Sequence, residues 1–93
     1  HFHSPVRIGD LLTVTAEVTW TGRTSLETRV YATAENVLTG DVTHTNTAFF
    51  VYVGLDQHGR PTPVPPLIAE TATEKRRYAE AQQRQKERLK ARD

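Results

Sequence analysis

Three consecutive polar residues, Arg23, Thr24 and Ser25, follow a glycine at a break between two strand-like stretches. Together they offer a guanidinium, two hydroxyls and backbone N–H donors, which are suitable partners for a phosphate or an amide of a ligand. The competing interpretation is a polar turn with a solvated arginine, and the residues taken alone favour it. Both interpretations stay open at this point.

The histidines are weaker candidates for a chemical role. His1 and His3 alternate on one side of a strand-like stretch and could in principle bind a metal, but no third ligand is apparent, so we predict no metal site. The sequence has no Ser-His-Asp constellation, no P-loop and no glycine-rich dinucleotide fingerprint. It also has no cysteine, which excludes disulfides and thiolate metal sites.

Charge is distributed unevenly along the 93 residues. Residues 1–69 contain four basic and six acidic residues, whereas residues 70–93 contain eight basic and five acidic residues and carry a net charge of +3. The interleaving of opposite charges favours a solvated helix over an anion-binding one. The tail has no aromatic interleaving or nucleic-acid motif, and no apolar run approaches the ~20 residues of a membrane span, so neither partner is predicted.

Alternating hydrophobicity predicts three strands that position these groups. In LLTVTAEVTW (11–20) and LETRVYATAEN (26–36), apolar and polar residues alternate with period two, as in half-buried strands. The third stretch, VTHTNTAFFVYVGL (42–55), becomes almost wholly apolar, so we predict that residues 48–53 are buried on both faces. Short turns, including one at Gly40, connect the strands into an antiparallel meander.

A proline-rich segment and a helix follow the predicted sheet. Four prolines in PTPVPPL (61–67) exclude a central strand or helix and predict an extended crossing. The spacing of Thr71 and Glu74 is that of a capping box, and strong helix formers continue to about Lys90. The predicted apolar stripe of this helix is thin and consists of Tyr78, Ala81 and Leu89.

The apolar face of the predicted sheet needs a cover that so polar a helix does not supply. Seven side chains would otherwise stay partly exposed: Val14, Val18, Trp20, Leu26, Val30, Phe49 and Val51. At roughly 1.5–3 kcal/mol for each large side chain, this exposure costs on the order of 10 kcal/mol, which is comparable to the stability of a whole domain. We therefore expect an earlier segment of the protein, a second copy of the chain, or both, to cover the face.

Four short motifs occur in a characteristic order and spacing: PVRIGD (5–10), GRTSLE (22–27), LTG (38–40) and TAFFVYVGLD..GRP.PVPPL (47–67). Over nearly the whole chain they resemble hotdog-fold acyl-CoA thioesterases of the cytosolic acyl-CoA hydrolase type. The resemblance implies an α+β fold, an antiparallel sheet around a central helix, here with a polar C-terminal helix. Because the central helix of that family precedes HFHSPVRIGD, we expect this chain to lack it, along with the main catalytic residue.

The resemblance also implies site residues, assigned position by position. The residues expected to bind CoA are Arg23, Thr24, Ser25 and Leu26 at the first hairpin and Arg84 and Arg88 on the helix. Asn46 and Thr47 lie on the strand that passes the acyl crevice in this fold. They are expected to assist catalysis by orienting the thioester or its water, unless they simply face solvent.

The implied function is hydrolysis of acyl-CoA to free fatty acid and CoA in the cytoplasm, with CoA as part of the substrate and no separate cofactor. Dimers or trimers of dimers are expected, with residues 1–69 as the hotdog sheet portion and residues 70–93 as the charged helix. The alternative is a non-catalytic module that binds CoA or acyl-CoA. A structural domain whose tail helix mediates assembly is a third interpretation.

Overall fold

The computed structural model describes residues 6–91, which form three strands and one helix: β1 (Leu11–Thr21), β2 (Ser25–Glu35), β3 (Val42–Val53) and α1 (Ala72–Ala91). The strands form one antiparallel sheet in the order β1-β2-β3, so β2 is the central strand. The predicted meander, the C-terminal helix and the α+β class are confirmed.

The β2–β3 turn is fixed by an asparagine and a glycine. The side-chain Oδ1 of Asn36 accepts hydrogen bonds from the backbone N–H groups of Leu38 and Thr39, at 2.9 and 3.2 Å. Gly40 has a φ of 78°, a left-handed conformation that a glycine adopts without steric cost. Its N–H donates to the Asn36 carbonyl at 2.7 Å, which closes the turn predicted at Gly40.

The proline-rich segment forms no helix or named strand, as predicted. It begins with an isolated antiparallel bridge between Leu55 and Pro61. The intervening turn is closed by Asp56, whose Oδ1 accepts from the N–H groups of His58 and Arg60 at 2.8 and 3.0 Å. Such side-chain acceptors commonly fix turns of this kind.

Helix α1 begins with the predicted capping box. The N–H of Glu74 donates to Thr71 Oγ1 at 3.1 Å, and the N–H of Thr71 donates to Glu74 Oε1 at 2.9 Å. The same carboxylate oxygen also accepts from the N–H of Glu70 at 3.0 Å. These backbone hydrogen bonds, from Thr71 and then Glu70, lower the pKa of Glu74 below its ordinary value.

The chain divides into two compact units. One contains the chain up to Glu17 together with Arg29–Phe50, and the other contains Val18–Thr28 and the chain from Val51 onward. In the first unit, Arg29 Nη1 donates to Glu17 Oε1 at 3.3 Å, and the guanidinium lies 4.4 Å from the centre of the Tyr31 ring. The second unit contains both α1 and the β1–β2 turn. The expected division into a sheet portion (residues 1–69) and a charged helix (residues 70–93) stays a prediction.

The apolar side chains expected to lack a cover are mostly exposed. Val14, Val18, Phe49 and Val51 are exposed, and Leu26 and Val30 are half-buried. Trp20 was expected to be partly exposed, and this prediction was wrong, since only 8% of the residue is exposed. Its ring packs over the backbone of Gly22, where an added Cβ would lie 2.7 Å from Trp20 Cη2, and no larger residue fits there without a shift.

The later half of β3 also differs from prediction. Its large apolar residues, from Phe49 to Val53, are 40–54% exposed rather than buried on both faces. The physical reason is that β3 is an outer strand of the described sheet, with a neighbouring strand on one side only. An apolar run therefore identified the strand but not its surroundings within this chain.

Candidate functional site

The β1–β2 turn is held through three consecutive backbone carbonyls. The carbonyl of Arg23 accepts from Val64 N–H at 3.0 Å, that of Thr24 from Gly54 N–H at 2.7 Å, and that of Ser25 from Gly22 N–H at 2.8 Å. Arg23 is exposed at this turn, whereas Thr24, Ser25 and Leu26 are half-buried. The proline-rich segment thus braces the turn from one side, and the turn is a fixed support for its side chains.

The most unusual residue of the second unit is Glu27, which directly follows this turn. Its side chain is 0% exposed. Thr19 Oγ1 donates to Glu27 Oε1 at 2.6 Å. Arg84 donates from Nε to Oε2 at 3.0 Å and from Nη2 to Oε1 at 2.9 Å, and Arg88 Nη2 donates to Oε2 at 2.6 Å. We call Glu27, Thr19, Arg84 and Arg88 the Glu27 cluster.

These contacts decide the charge of the buried carboxyl. Burial by itself would raise the pKa of Glu27, because a charged carboxylate loses its hydration. Hydrogen bonds from Arg84, Thr19 and Arg88 outweigh that cost and lower the pKa from 4.5 to about 2. The same contact with Glu27 raises the pKa of Arg84. The cluster is therefore ionised at neutral pH, with two cations against one anion.

Helix α1 meets the strands of this unit along one narrow stripe. Tyr78 Oη donates to the carbonyl of Thr21 at 3.2 Å, Ala81 is fully buried, and Arg84 and Arg88 follow at helical spacing. Thr21 Oγ1 also accepts from the N–H of Leu67 at 2.9 Å, which ties in the proline-rich segment. The predicted stripe was right at Tyr78 and Ala81 but wrong at Leu89, which is exposed because arginines rather than leucine continue the contact.

The structure thus brings together, in one compact unit, the two groups of residues that were predicted to bind CoA. It adds Glu27, which sequence reasoning missed. A lone glutamate in an alternating strand is typical of a solvated face. The usable signal was the i, i+4 spacing of two arginines on a helix whose stripe has few apolar residues.

Asn46 and Thr47 belong to the other compact unit. Thr47 Oγ1 lies 2.6 Å from His44 Nε2. Among the described residues, the buried Oδ1 of Asn46 has no hydrogen-bond partner. A buried acceptor without a donor is costly, so this oxygen is suited to receiving a donor that residues 6–91 do not supply.

Metal binding and membrane spanning can be assessed for the described residues. Within residues 6–91, no three His, Cys, Asp or Glu side chains are grouped in a way that could hold a metal ion. The pair His1 and His3 lies outside the described residues. In the same part of the chain, α1 is not a candidate for crossing a membrane.

Comparisons with known proteins give the class of protein. The family model for the thioesterase superfamily matches residues 1–41. The structure superimposes on a hexameric acyl-CoA thioesterase with a TM-score of 0.91 and 41% identity, over 98% of this chain and 58% of the other. The acyl-CoA hydrolase of Staphylococcus aureus, in complex with butyryl-CoA and CoA, gives a TM-score of 0.86 and 30% identity over 99% of this chain and 56% of the other.

Curated relatives agree with the solved structures. The cytosolic acyl coenzyme A thioester hydrolase of Rattus norvegicus is 37% identical over 86 residues, 90% of this chain and 23% of that protein. Protein VdlD of Helicobacter pylori is 36% identical over 89 residues, 96% of this chain and 51% of that protein. The chain is therefore similar to the thioesterase superfamily in sequence, and its fold matches that of hotdog acyl-CoA hydrolases. It spans about half the length of the first curated relative, and less of the rat enzyme.

Proposed function

We propose that the protein containing this chain is an acyl-CoA thioesterase, and that these residues supply much of its CoA-binding surface. The observation that carries the proposal is the union, in one compact unit, of the braced turn at residues 23–26 with the arginines of α1. The likeness to acyl-CoA hydrolases in both sequence and structure supports it. Localisation in the cytoplasm is part of the proposal, supported by the name of the cytosolic rat relative.

The proposed division of labour follows from the chemistry of the groups. The pantetheine or its adjoining phosphates contact the turn at Arg23, Thr24, Ser25 and Leu26. Hydroxyl groups form hydrogen bonds with amides, and a guanidinium donates to phosphate oxygens. Arg84 and Arg88 face the phosphates of CoA. CoA enters as part of the substrate and leaves as product, so the proposed reaction uses no separate cofactor.

The chemical step is attack of water on the thioester carbonyl, which needs a general base and donors aimed at the developing oxyanion. Glu27 is unsuited to the role of base, because it is buried and its pKa is about 2. The principal catalytic group is therefore proposed to be a residue other than Glu27. Asn46 and Thr47 are proposed to assist, with Asn46 Oδ1 accepting a hydrogen bond from the water or the substrate.

Self-association as a dimer, or as a trimer of dimers, is also proposed. The exposed apolar residues of β1 and β3 support it, because a large uncovered apolar surface favours association. The hexameric state named for one structural relative is consistent with three dimers. Light scattering of the complete protein should give a dimer or hexamer, and a stable monomer at micromolar concentration would contradict this part.

The test of the activity is release of free thiol from acyl-CoA by the complete purified protein. We expect turnover with a preferred range of acyl chain lengths, measured with a thiol reagent on substrates from acetyl-CoA to palmitoyl-CoA. Absence of release above background across the series would contradict the thioesterase assignment.

A non-catalytic module that holds CoA or acyl-CoA is the second candidate. One observation favours it: the carboxylate of Glu27 accepts hydrogen bonds from Arg84 and Arg88, so it is not available as a general base. Calorimetric titration separates the two candidates: CoA binding without any thiol release supports the module, and binding with release supports the enzyme.

A further inference from the structure

We propose that Glu27 is a positioning residue for substrate recognition: it holds Arg84 and Arg88 of α1 as a phosphate-binding pair beside the β1–β2 turn. This inference rests on the proposed function and adds a residue that touches no substrate. Its ligand class is the phosphate groups of the CoA nucleotide, as distinct from the pantetheine and the acyl chain.

The geometry fixes each guanidinium at more than one point. Arg84 donates to Glu27 through both Nε and Nη2, so the plane of its guanidinium is set by the carboxylate. Arg88 donates to Glu27 through Nη2 and to Gln85 Oε1 through Nη1 at 3.2 Å. A planar fork held in this manner loses less freedom when it binds a second anion, which favours recognition of phosphate.

Charge and exposure differ within the Glu27 cluster. Its two cations and one anion give the four side chains a net charge of +1, and the carboxylates of Glu80 and Glu87 on α1 also act on Arg84. The carboxylate is 0% exposed, while the side chains of Arg84 and Arg88 are 30% and 33% exposed. The carboxylate is therefore shielded from solvent, whereas part of each arginine side chain is accessible to a ligand.

The position of the cluster relates it to the rest of the proposed site. Glu27 directly follows Leu26, the last residue of the turn, and all of these residues belong to the second compact unit. Tyr78 and Ala81 anchor α1 near the same turn, through Tyr78 Oη and the carbonyl of Thr21. Because Tyr78 and Ala81 hold α1 independently of Glu27, a variant that releases the arginine side chains should change phosphate binding and leave the turn in place.

The substitution Glu27→Gln separates positioning from simple electrostatics, because the two effects have opposite signs. Removing the negative charge changes the net charge of the cluster from +1 to +2, which by charge alone strengthens binding of a phosphate. Loss of the carboxylate also frees the two guanidiniums, which weakens binding if their placement matters. The direction of the change therefore identifies the dominant role.

The experiment compares KM and kcat of the complete protein for an acyl-CoA and for the matching acyl-pantetheine, which lacks the nucleotide phosphates. For Glu27→Gln we expect KM for acyl-CoA to rise about tenfold, with kcat and the KM for acyl-pantetheine changed less than twofold. The matched control is Glu70→Gln, which removes an exposed charge that is not among those acting on Arg84 and should leave KM for acyl-CoA the same or lower. Thermal unfolding of each variant shows whether it is folded.

An unchanged or lower KM for acyl-CoA in Glu27→Gln would overturn the proposal, as would an equal rise for both substrates. If Glu27→Gln does not fold, Thr19→Val removes one hydrogen bond to Glu27, and a rise of about threefold confined to acyl-CoA is the supporting result. If KM shows no rise that is confined to acyl-CoA in Thr19→Val, the proposal is overturned. If the wild-type protein shows no turnover, calorimetry with CoA and pantetheine is the readout: selective loss of CoA affinity supports positioning although the hydrolase assignment fails.

Discussion

Glu27 and Val14 lie on adjacent strands and show opposite relations between chemistry and burial. Glu27 is charged, wholly buried and bonded by three side chains, whereas Val14 is apolar and 61% exposed. In an isolated domain the reverse is the rule. The contrast shows that the described residues supply the hydrogen-bond partners of the buried carboxylate under α1. They leave apolar side chains such as Val14 exposed.

The contrast also separates two sources of stability. Docking of α1 depends on a buried charge that is costly unless every partner is in place. The exposed valines and aromatics contribute stability only when another segment or subunit excludes water from them. Three predictions sharpen this comparison, beginning with the largest effect.

Acid should remove the contribution of Glu27. Its pKa is about 2 when folded, against an ordinary value of 4.5, so the ionised carboxylate favours the folded state. That contribution, on the order of 3 kcal/mol, is fully present above pH 4.5 and is lost as the pH falls from 4.5 toward 2. We expect the difference in unfolding free energy between wild type and Glu27→Gln, measured in urea, to shrink over this range. A difference that stays constant from pH 7 to pH 2 would be incompatible with the assigned pKa.

The apolar side of the comparison is tested by Val14→Ala in the complete protein. If Val14 is covered there, losing two methylene equivalents costs about 1.5 kcal/mol of unfolding free energy. Val37→Ala is a matched control, because Val37 is 60% exposed and lies in the β2–β3 turn. Equal effects of the two substitutions in urea denaturation would argue that Val14 stays uncovered.

The smallest effect concerns the start of α1. Thr71→Ala removes the side-chain acceptor of the Glu74 N–H and should cost about 1 kcal/mol. Thr71→Ser keeps that acceptor and should stay close to wild type. If both variants have the same thermal midpoint as wild type, the capping box contributes nothing measurable to the docking of α1.

The sequence predicted the elements well, because local patterns determine them. Period-two alternation identified β1 and β2, and the Thr71 and Glu74 spacing identified the start of α1. The environment of each residue was harder to predict. Trp20 is buried, with its ring close to the backbone of Gly22, and the apolar end of β3 is exposed at the sheet edge. Neither fact is contained in local periodicity.

The candidate site was predicted in part for the same reason. The resemblance pointed to the turn at residues 23–26 and to Arg84 and Arg88, which the fold places in one unit. Glu27, the residue that connects them, was missed because its two arginine partners lie 57 and 61 positions away in the chain. A pairing at such separation depends on tertiary structure.

The central claim is that Glu27 and the arginines of α1 act as one unit, and a double-mutant cycle tests it most directly. Unfolding free energies would be measured in urea at pH 7 for wild type, Glu27→Gln, Arg84→Gln and the double variant of the complete protein. Arg76→Gln, at an exposed arginine on the same helix, is the control partner. We predict a coupling energy of at least about 1.5 kcal/mol between Glu27 and Arg84 and one near zero between Glu27 and Arg76. Additivity of the Glu27 and Arg84 substitutions within about 0.3 kcal/mol would contradict the account.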